Sequence, residues 1–320
     1  MKASVVIPCH NAERYIGETL RSVAAQTQPA HEVFVINDRS ADGSAEAVEA
    51  SGVPVTLLNT DFGNAAAARN AGIERATGDW VAFLDADDYW RDNHLETAAG
   101  LLARGDAVAF MANRDLIDDS GAVRQQNVGL SLQDSQPSLP ADRFPGLFRG
   151  NGFYFAMSSC LMRTDRLRAI DGLDVGQVRR HDIDMWLRGI AGHTWAYSVQ
   201  PTSVYRIDTP GAISRNVSDR EYWFLRAMLK NRSAFPGPDF DAIVRLAARR
   251  AVSAGLTDGT ATDVKRAIDL ANDELSPTDR WVYRAARVAP WAFASLNRWR
   301  RRAATRHRAA HQPLSSASDA

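Results

Sequence analysis

Three carboxylates fall within four positions at Asp85-Ala86-Asp87-Asp88, directly after the apolar run Trp80-Val81-Ala82-Phe83-Leu84. Carboxylates that close repel one another unless a cation, hydrogen bonds or water compensates them. The apolar run reads as a buried strand, so the acids emerge at its carboxyl end, the edge of an open α/β sheet where ligands bind. An Asp-x-Asp at that edge suits Mg2+ or Mn2+, which take oxygen ligands and bridge to substrate phosphates. The plainer reading is an acidic turn capping a helix that starts near Arg91.

Asp38 is a second acidic signal, within Phe34-Val35-Ile36-Asn37-Asp38-Arg39-Ser40-Ala41-Asp42-Gly43-Ser44. It lies past one strand pattern and before a helix, on the same predicted edge as Asp85 and Asp87. A carboxylate there can accept a hydrogen bond from a base N–H or a ribose hydroxyl. Capping chemistry explains Ser40 and Asp42 well and Asp38 less well. The third signal is Gly63-Asn64, the small residues Ala65 to Ala68, then Arg69-Asn70-Ala71-Gly72. Small side chains let such a helix lie close to a sheet or admit a ligand. Arg69 has three readings: a diphosphate contact, a bidentate partner that positions Asp85, or a solvated surface residue.

These side chains need a scaffold, and strand and helix patterns alternate through the first third of the chain. Strands are predicted over Ser4–Ile7, Glu32–Ile36, Val53–Leu58, Trp80–Leu84 and Asp106–Met111. Helices are predicted over Ala12–Gln26, Asp42–Ala50, Asn64–Ala76 and His94–Ala103, the first with Ile16, Leu20 and Val23 on one face. This rhythm predicts a mostly parallel sheet covered on both faces. Beyond it, Asp118-Asp119-Ser120-Gly121 has hairpin-turn chemistry, and Gln133–Pro145 reads as a surface loop. Met157–Met162 predicts a strand, Asp182–Ala191 a helix, and Trp195–Val199 and Ser203–Ile207 short strands; from about Ser218 the pattern is helical.

A chain of 320 residues can bury a sizeable core. Its formal net charge of zero hides an asymmetry: residues 280–311 hold nine arginines and no acid, leaving residues 1–279 with 29 basic against 37 acidic groups. Cys9 and Cys160 form no Cys-x-x-Cys and read as buried thiols in a reducing compartment. The apolar stretch Ala3–Ile7 is too short for a signal peptide, and no run of about 18 apolar residues predicts a membrane span. There is no internal repeat, no Gly-x-Gly-x-x-Gly, no Gly-x-x-x-x-Gly-Lys and no His-Glu-x-x-His.

Four segments occur in order: Val5-Val6-Ile7-Pro8-Cys9-His10-Asn11, Ile36 to Ser44, Ala68-Arg69-Asn70-Ala71-Gly72, and Phe83-Leu84-Asp85-Ala86-Asp87-Asp88. Together, over roughly residues 3–210, the chain resembles the family 2 glycosyltransferases, whose GT-A fold binds a nucleotide-sugar at a Rossmann-like sheet. The resemblance implies an inverting, metal-dependent transfer of sugar from a nucleoside-diphosphate sugar to an acceptor hydroxyl. It implies that Pro8, Asn11 and Asp38 line the nucleoside pocket and that Arg69 and Asp85 hold ribose and diphosphate. Asp87, with Asp85, would bind Mn2+ or Mg2+, and Asp88 would be structural.

The family also carries a later carboxylate, in a Glu-Asp pair that opens a helix running toward Leu-Trp. Here the segment is Arg179-Arg180-His181-Asp182-Ile183-Asp184-Met185-Trp186-Leu187-Arg188. The resemblance makes Asp182 the general base, with His181 in place of the usual Glu. An Asp at a helix start is kept ionised by the helix N-terminus and by Arg180, and can take a proton from the attacking hydroxyl. Two alternatives stay open: Asp182 as an N-cap, and Asp184 as the base. His181 could pair with either carboxylate; with Asp184 and Trp186 it would face the acceptor. In Val204-Tyr205-Arg206-Ile207-Asp208, Asp208 stands where similar enzymes often have His, and Arg206 remains a diphosphate contact.

In the basic tail, Trp291, Phe293, Leu296 and Trp299 share one side of a helix at ~100° per residue, with Arg298, Arg301 and Arg302 opposite. That pattern suits a helix lying on an anionic membrane; a solvated terminus is the other reading. No reading element accompanies Arg300-Arg301-Arg302, so nucleic acid is not an expected partner. The expected organisation is a catalytic domain over 1–217, with a donor half 1–111 and an acceptor half 112–217, then a helical extension over 218–320. The expected location is the cytoplasm, peripheral on the inner face of the membrane, and the expected acceptor is a glycan or lipid-linked saccharide. A catalytically inactive nucleotide-sugar-binding module and a sugar nucleotidyltransferase are the competing classes. The latter, like a nicotinamide dehydrogenase, normally shows a Gly-rich phosphate loop, and Pro8-Cys9-His10-Asn11 is not one.

Overall fold

The computed structural model describes residues 1–130, 132–148, 156–207, 209, 217–258 and 261–276. These fall into two compact units, one drawn from Met1–Ile213 and Ala227–Ile243, the other from Ser214–Arg226 and from Val244 onward.

The first unit alternates as the sequence predicts: β1 (Ala3–Cys9), α1 (Ile16–Ala24), β2 (Glu32–Asp38), α2 (Ser44–Ala50), β3 (Thr56–Thr60), α3 (Ala65–Arg75) and β4 (Trp80–Phe83). Then come β5 (Tyr89–Trp90), α4 (His94–Leu102), β6 (Ala109–Ile117), β7 (Val123–Val128), β8 (Gln136–Pro140), β9 (Cys160–Arg163), α5 (Thr164–Ala169), α6 (His181–Ile190) and β10 (Thr194–Arg206). The sheet order is β3-β2-β1-β4-β9-β6-β10-β5, with β7 on β6 and β8 on β10. Pairing is parallel from β3 through β4 and again between β6 and β10, while β9 runs antiparallel between β4 and β6. This is the expected α/β architecture with a mostly parallel central sheet. The order reverses at β1, whose neighbours are β2 and β4, and a crevice outside the carboxyl ends of such a pair is where ligands settle.

Continuous burial follows from coverage on both faces: Val5, Val6 and Ile7 in β1 are each fully buried. Ile16, Leu20 and Val23 press α1 onto one face. On the other, α3 approaches so closely that a Cβ on Gly72 would lie 2.5 Å from Val6 Cγ1. The small residues of α3 thus serve close packing.

Local chemistry moved several boundaries. β3 starts at Thr56 instead of Val53, because Pro54 has no N–H to give the ladder. Residues 12–15 precede α1 because the Ala12 and Glu13 amides donate to Ser44 and Asp42 across the neighbouring loop. The stretch Gln133–Pro145 is not a plain loop, since β8 within it pairs antiparallel with β10. Its prolines fit an outer strand, where no ladder is interrupted. The two short strands predicted after Trp195 are one strand, β10, with register shifts at Pro201.

The region after 217 is helical where described: α7 (Val217–Lys230), α8 (Pro238–Asp258) and α9 (Ala261–Ala271). In the second unit Val252, Leu256, Val264 and Ile268 are buried, and the Arg266 guanidinium lies 4.1 Å from the Tyr222 ring centre. No helix among the described residues is long and apolar enough to cross a membrane. The tail at 280–311 lies outside the described residues.

Candidate active site

The acidic tetrad leaves β4 as a tight turn, closed by the Asp88 amide donating to Asp85 O at 3.1 Å. Thr19 of α1 places its hydroxyl 2.9 and 2.8 Å from the carbonyls of Ala86 and Asp88, fixing the turn from below. The three carboxylates then diverge. Asp88 is 1% exposed, shares a hydrogen bond with Ser158 and accepts from the Arg206 amide at 2.8 Å. Burial, and then the charges of Asp87 and Asp85, push its carboxyl well above the ordinary range. Asp85 and Asp87 stay half-buried. Asp87 is pushed up to about 6 by burial and by Asp85, although Thr209 Oγ1 donates to it at 3.2 Å.

Arg69 of α3 pairs with Asp85 through Nη2, so the bidentate expectation becomes a one-armed contact. Its other arm, Nη1, donates to Ala65 O at 3.2 Å and to His181 Nε2 at 3.1 Å. The structure thereby joins the tetrad to the start of α6. Burial, then the Arg69 charge, lowers His181 to about 4, which keeps the ring neutral and able to accept.

α6 separates its two acids. The helix starts after Arg180, whose left-handed φ of 58° turns the chain, and Arg180 makes no side-chain cap. Asp182 is therefore inside the first turn and not at the cap. It is half-buried; its Oδ1 accepts the Ile183 amide at 2.9 Å, and Oδ2 has no hydrogen bond among the described residues. Asp184 is fully buried instead. It accepts from Arg188 Nε at 2.9 Å, Lys230 Nζ at 3.0 Å and Asn231 Nδ2 at 2.9 Å. That corrects its expected place on the acceptor side, because its acceptor sites serve to hold α6 to the end of α7. Trp186 is corrected likewise: it is fully buried and stacked on Phe144 at 5.3 Å.

Arg206 lies under the tetrad turn. Its guanidinium is 7% exposed and held by Glu18 at 2.8 Å, Asp87 O at 3.2 Å and Asp118 O at 3.3 Å, beside the Tyr15 ring. These contacts use three of its five N–H donors and brace the tetrad through Asp87 O. Asp208 lies outside the described residues.

The predicted nucleoside residues lie at the ends of β1 and β2. Asn11, at φ 50°, donates its amide to Ser40 Oγ at 3.0 Å and accepts from the Ala41 amide at 2.8 Å, welding the two loops. Pro8 lies half-buried beside Ile36 in the parallel register. Asp38 is 5% exposed and accepts the amides of Phe62, Gly63 and Asn64 at 2.6, 3.1 and 3.0 Å. Three of those four contacts, counting Thr60 Oγ1 at 3.3 Å, fall on Oδ1, so Oδ2 keeps one acceptor site. Asp38 thus shapes the loop entering α3 as well as the predicted pocket. Ser158, Thr19 and Glu18 escaped the sequence reading because each acts through a partner far along the chain.

The donor set at Asp85 and Asp87 fits a hard divalent cation. Two carboxylates lie together, and burial, then the Asp85 charge, pushes the Asp87 carboxyl up to about 6. Among the described residues no group of three or more metal-ligating side chains forms. Mg2+ and Mn2+ sites commonly use one or two carboxylates and complete the shell with water and substrate phosphates.

A family model described as Glycosyl transferase family 2 matches residues 4–166. The chain is 31% identical over 214 residues to the amylovoran biosynthesis glycosyltransferase AmsB of Erwinia amylovora, covering 64% of this chain and 70% of AmsB. TarS of S. aureus, solved in complex with UDP-GlcNAc, has a TM-score of 0.68 at 18% identity, over 93% of this chain and 92% of TarS. The mannosyltransferase PcManGT of Pyrobaculum calidifontis, solved with GDP-Man and Mn2+, has a TM-score of 0.54 at 17% identity, over 97% and 88% of the two chains. The fold is that of the GT-A enzymes. The chain belongs to glycosyl transferase family 2, and it is a glycosyltransferase.

Proposed function

We propose that this chain is an inverting, metal-dependent glycosyltransferase that moves a sugar from a nucleoside-diphosphate sugar to an acceptor hydroxyl in polysaccharide synthesis. The observation that supports this reading is the link Asp85–Arg69–His181, which ties the tetrad to the residue preceding Asp182. Asn11, Pro8 and Asp38 would hold the nucleoside. Asp85 and Asp87 are the residues that would hold a divalent cation, whose chemistry when bound is charge compensation of the leaving diphosphate. Arg69 would add a fixed positive charge, which needs no reorganisation as the leaving group departs.

Asp182 supplies the base. Its Oδ2 can take the proton of the attacking hydroxyl while Oδ1 stays on the Ile183 amide. Attack from that side, with the diphosphate leaving toward Asp85 and Asp87, is a single displacement and inverts the anomeric centre. The likeness to AmsB supports a polysaccharide product. The tail over 280–311 would hold the enzyme on an anionic membrane, where lipid-linked acceptors are made; deletion from Pro290 should then abolish binding to anionic vesicles, and unchanged binding would remove the idea.

The main test is a thermal-shift and hydrolysis screen of uridine, guanosine and thymidine diphosphate sugars with and without Mn2+. One nucleotide class should stabilise the protein, and more so with Mn2+. No response to any of them would overturn the reading.

A further inference from the structure

His181 is the side chain of the α6 start that the proposed chemistry leaves unused. It directly precedes Asp182, yet its Nε2 meets a residue of a different helix, accepting from Arg69 Nη1 at 3.1 Å. Arg69 is 6% exposed and gives its other arm to Asp85. The guanidinium is planar, so fixing both arms fixes its orientation. A carboxylate at position 181 would also accept this bond, but it would divide the Arg69 charge between two acids. A neutral imidazole orients the group and leaves that charge shared with Asp85 alone. The neutral form persists at neutral pH, because burial and the Arg69 charge both oppose protonation.

From this geometry we infer that His181 is a positioning residue for donor binding: an uncharged acceptor that aims Arg69 at Asp85 and the diphosphate, and ties that edge to the helix carrying Asp182. The inference rests on the donor-site reading above. It makes His181 and Arg69 one unit, whose parts should fail together.

The test is calorimetric titration of the full chain with UDP and Mn2+, repeated with GDP and dTDP, alongside transfer kinetics. H181Q keeps a neutral acceptor and should bind within about threefold of the unaltered chain. H181L has no acceptor and should bind roughly tenfold more weakly, with donor KM rising and kcat at saturating donor little changed. R69L should be weaker still, and H181L/R69L no weaker than R69L alone. Should H181L not fold, H181S makes the same comparison with a side chain too short to reach Arg69. The inference is overturned if H181L binds normally, if the two losses multiply in the double variant, or if H181Q fails as badly as H181L while melting normally. Failure of the unaltered chain to bind all three nucleotides would remove the donor-site reading, and this inference with it.

Discussion

The turn Asp85–Asp88 and the first turn of α6 at Asp182–Asp184 both crowd carboxylates together, and the fold divides each set into structural and available acids. Asp88 and Asp184 are 1% and 0% exposed, and donors drawn from distant segments use their oxygens. Asp85, Asp87 and Asp182 remain half-buried beside them. The two regions differ in their charge balance. Asp184 is met by two cations, Arg188 and Lys230. In the tetrad only Asp85 forms an ion pair, with Arg69, while the Arg206 guanidinium pairs with Glu18. The α6 cluster is complete as folded. The tetrad has room for another positive charge. What separates a structural acid from an available one is whether the fold exhausts its acceptor capacity, not its spacing in the chain.

The sharpest way to break this comparison is Asp182→Asn. Transfer should fall by roughly 10²–10⁴-fold, the usual worth of a general base. Nucleotide binding, followed by calorimetry, should stay within about twofold. Retained transfer would place the base elsewhere and erase the distinction within α6.

Asp87→Asn comes next and should weaken Mn2+-supported nucleotide binding by roughly 10–100-fold, as EDTA should in the unaltered chain. Because the Asp87 carboxyl sits at about 6, protons should compete with Mn2+ below that pH, and Mn2+ affinity should rise as pH climbs through it. Stability carries the opposite sign. A carboxyl raised from 3.8 to about 6 stabilises the metal-free fold at low pH, and that contribution is lost as pH rises through this window. Asp88, raised as well, acts in the same direction. His94, lowered to about 3, and His181, lowered to about 4, act in the opposite sense in this window, so the readout is the difference: without metal, the Asp87→Asn protein should gain melting temperature relative to the unaltered chain as pH rises from 4 to 6.

Asp184→Ala should cost about 2–3 kcal/mol in a denaturant titration, because it leaves Asn231, Lys230 and Arg188 without their shared acceptor. The folded fraction should keep its kcat, and a large loss of kcat at unchanged stability would reverse the roles of the two α6 acids. The smallest effect is expected for Asp88→Asn, about 1 kcal/mol or less, since an amide can accept from Arg206 and donate to Ser158. A complete loss of Mn2+ binding in that variant would show that Asp88 belongs with the available acids.

Much of the scaffold was legible because its signals are local. The alternation of β1 through α4 follows from apolar periodicity, and the hairpin at Asp118–Gly121 from turn chemistry. β8 was hidden because Pro137, Ser138 and Pro140 carry loop composition, and only a pairing with β10 makes them a strand. Within the candidate site, the Arg69–Asp85 contact was one of three open readings, and burial of Arg69 selected it. Asp184 and Trp186 were misplaced for the converse reason. α6 is covered on nearly all sides, and the partners of Asp184 lie 46 and 47 residues further along. No periodicity within ten residues reports such coverage. The Arg206–Glu18 pair was invisible for the same reason, since its partners lie 188 residues apart.

The sequence by itself determined the α/β alternation, the family and the sheet edge at which the tetrad emerges, because strand period, turn chemistry and motif order are properties of neighbouring residues. Only the tertiary structure decided what each acid in Asp85–Asp88 and Asp182–Asp184 is able to do. Availability of a carboxylate depends on burial and on donors such as Ser158, Lys230 and Asn231, which the chain brings near only by folding.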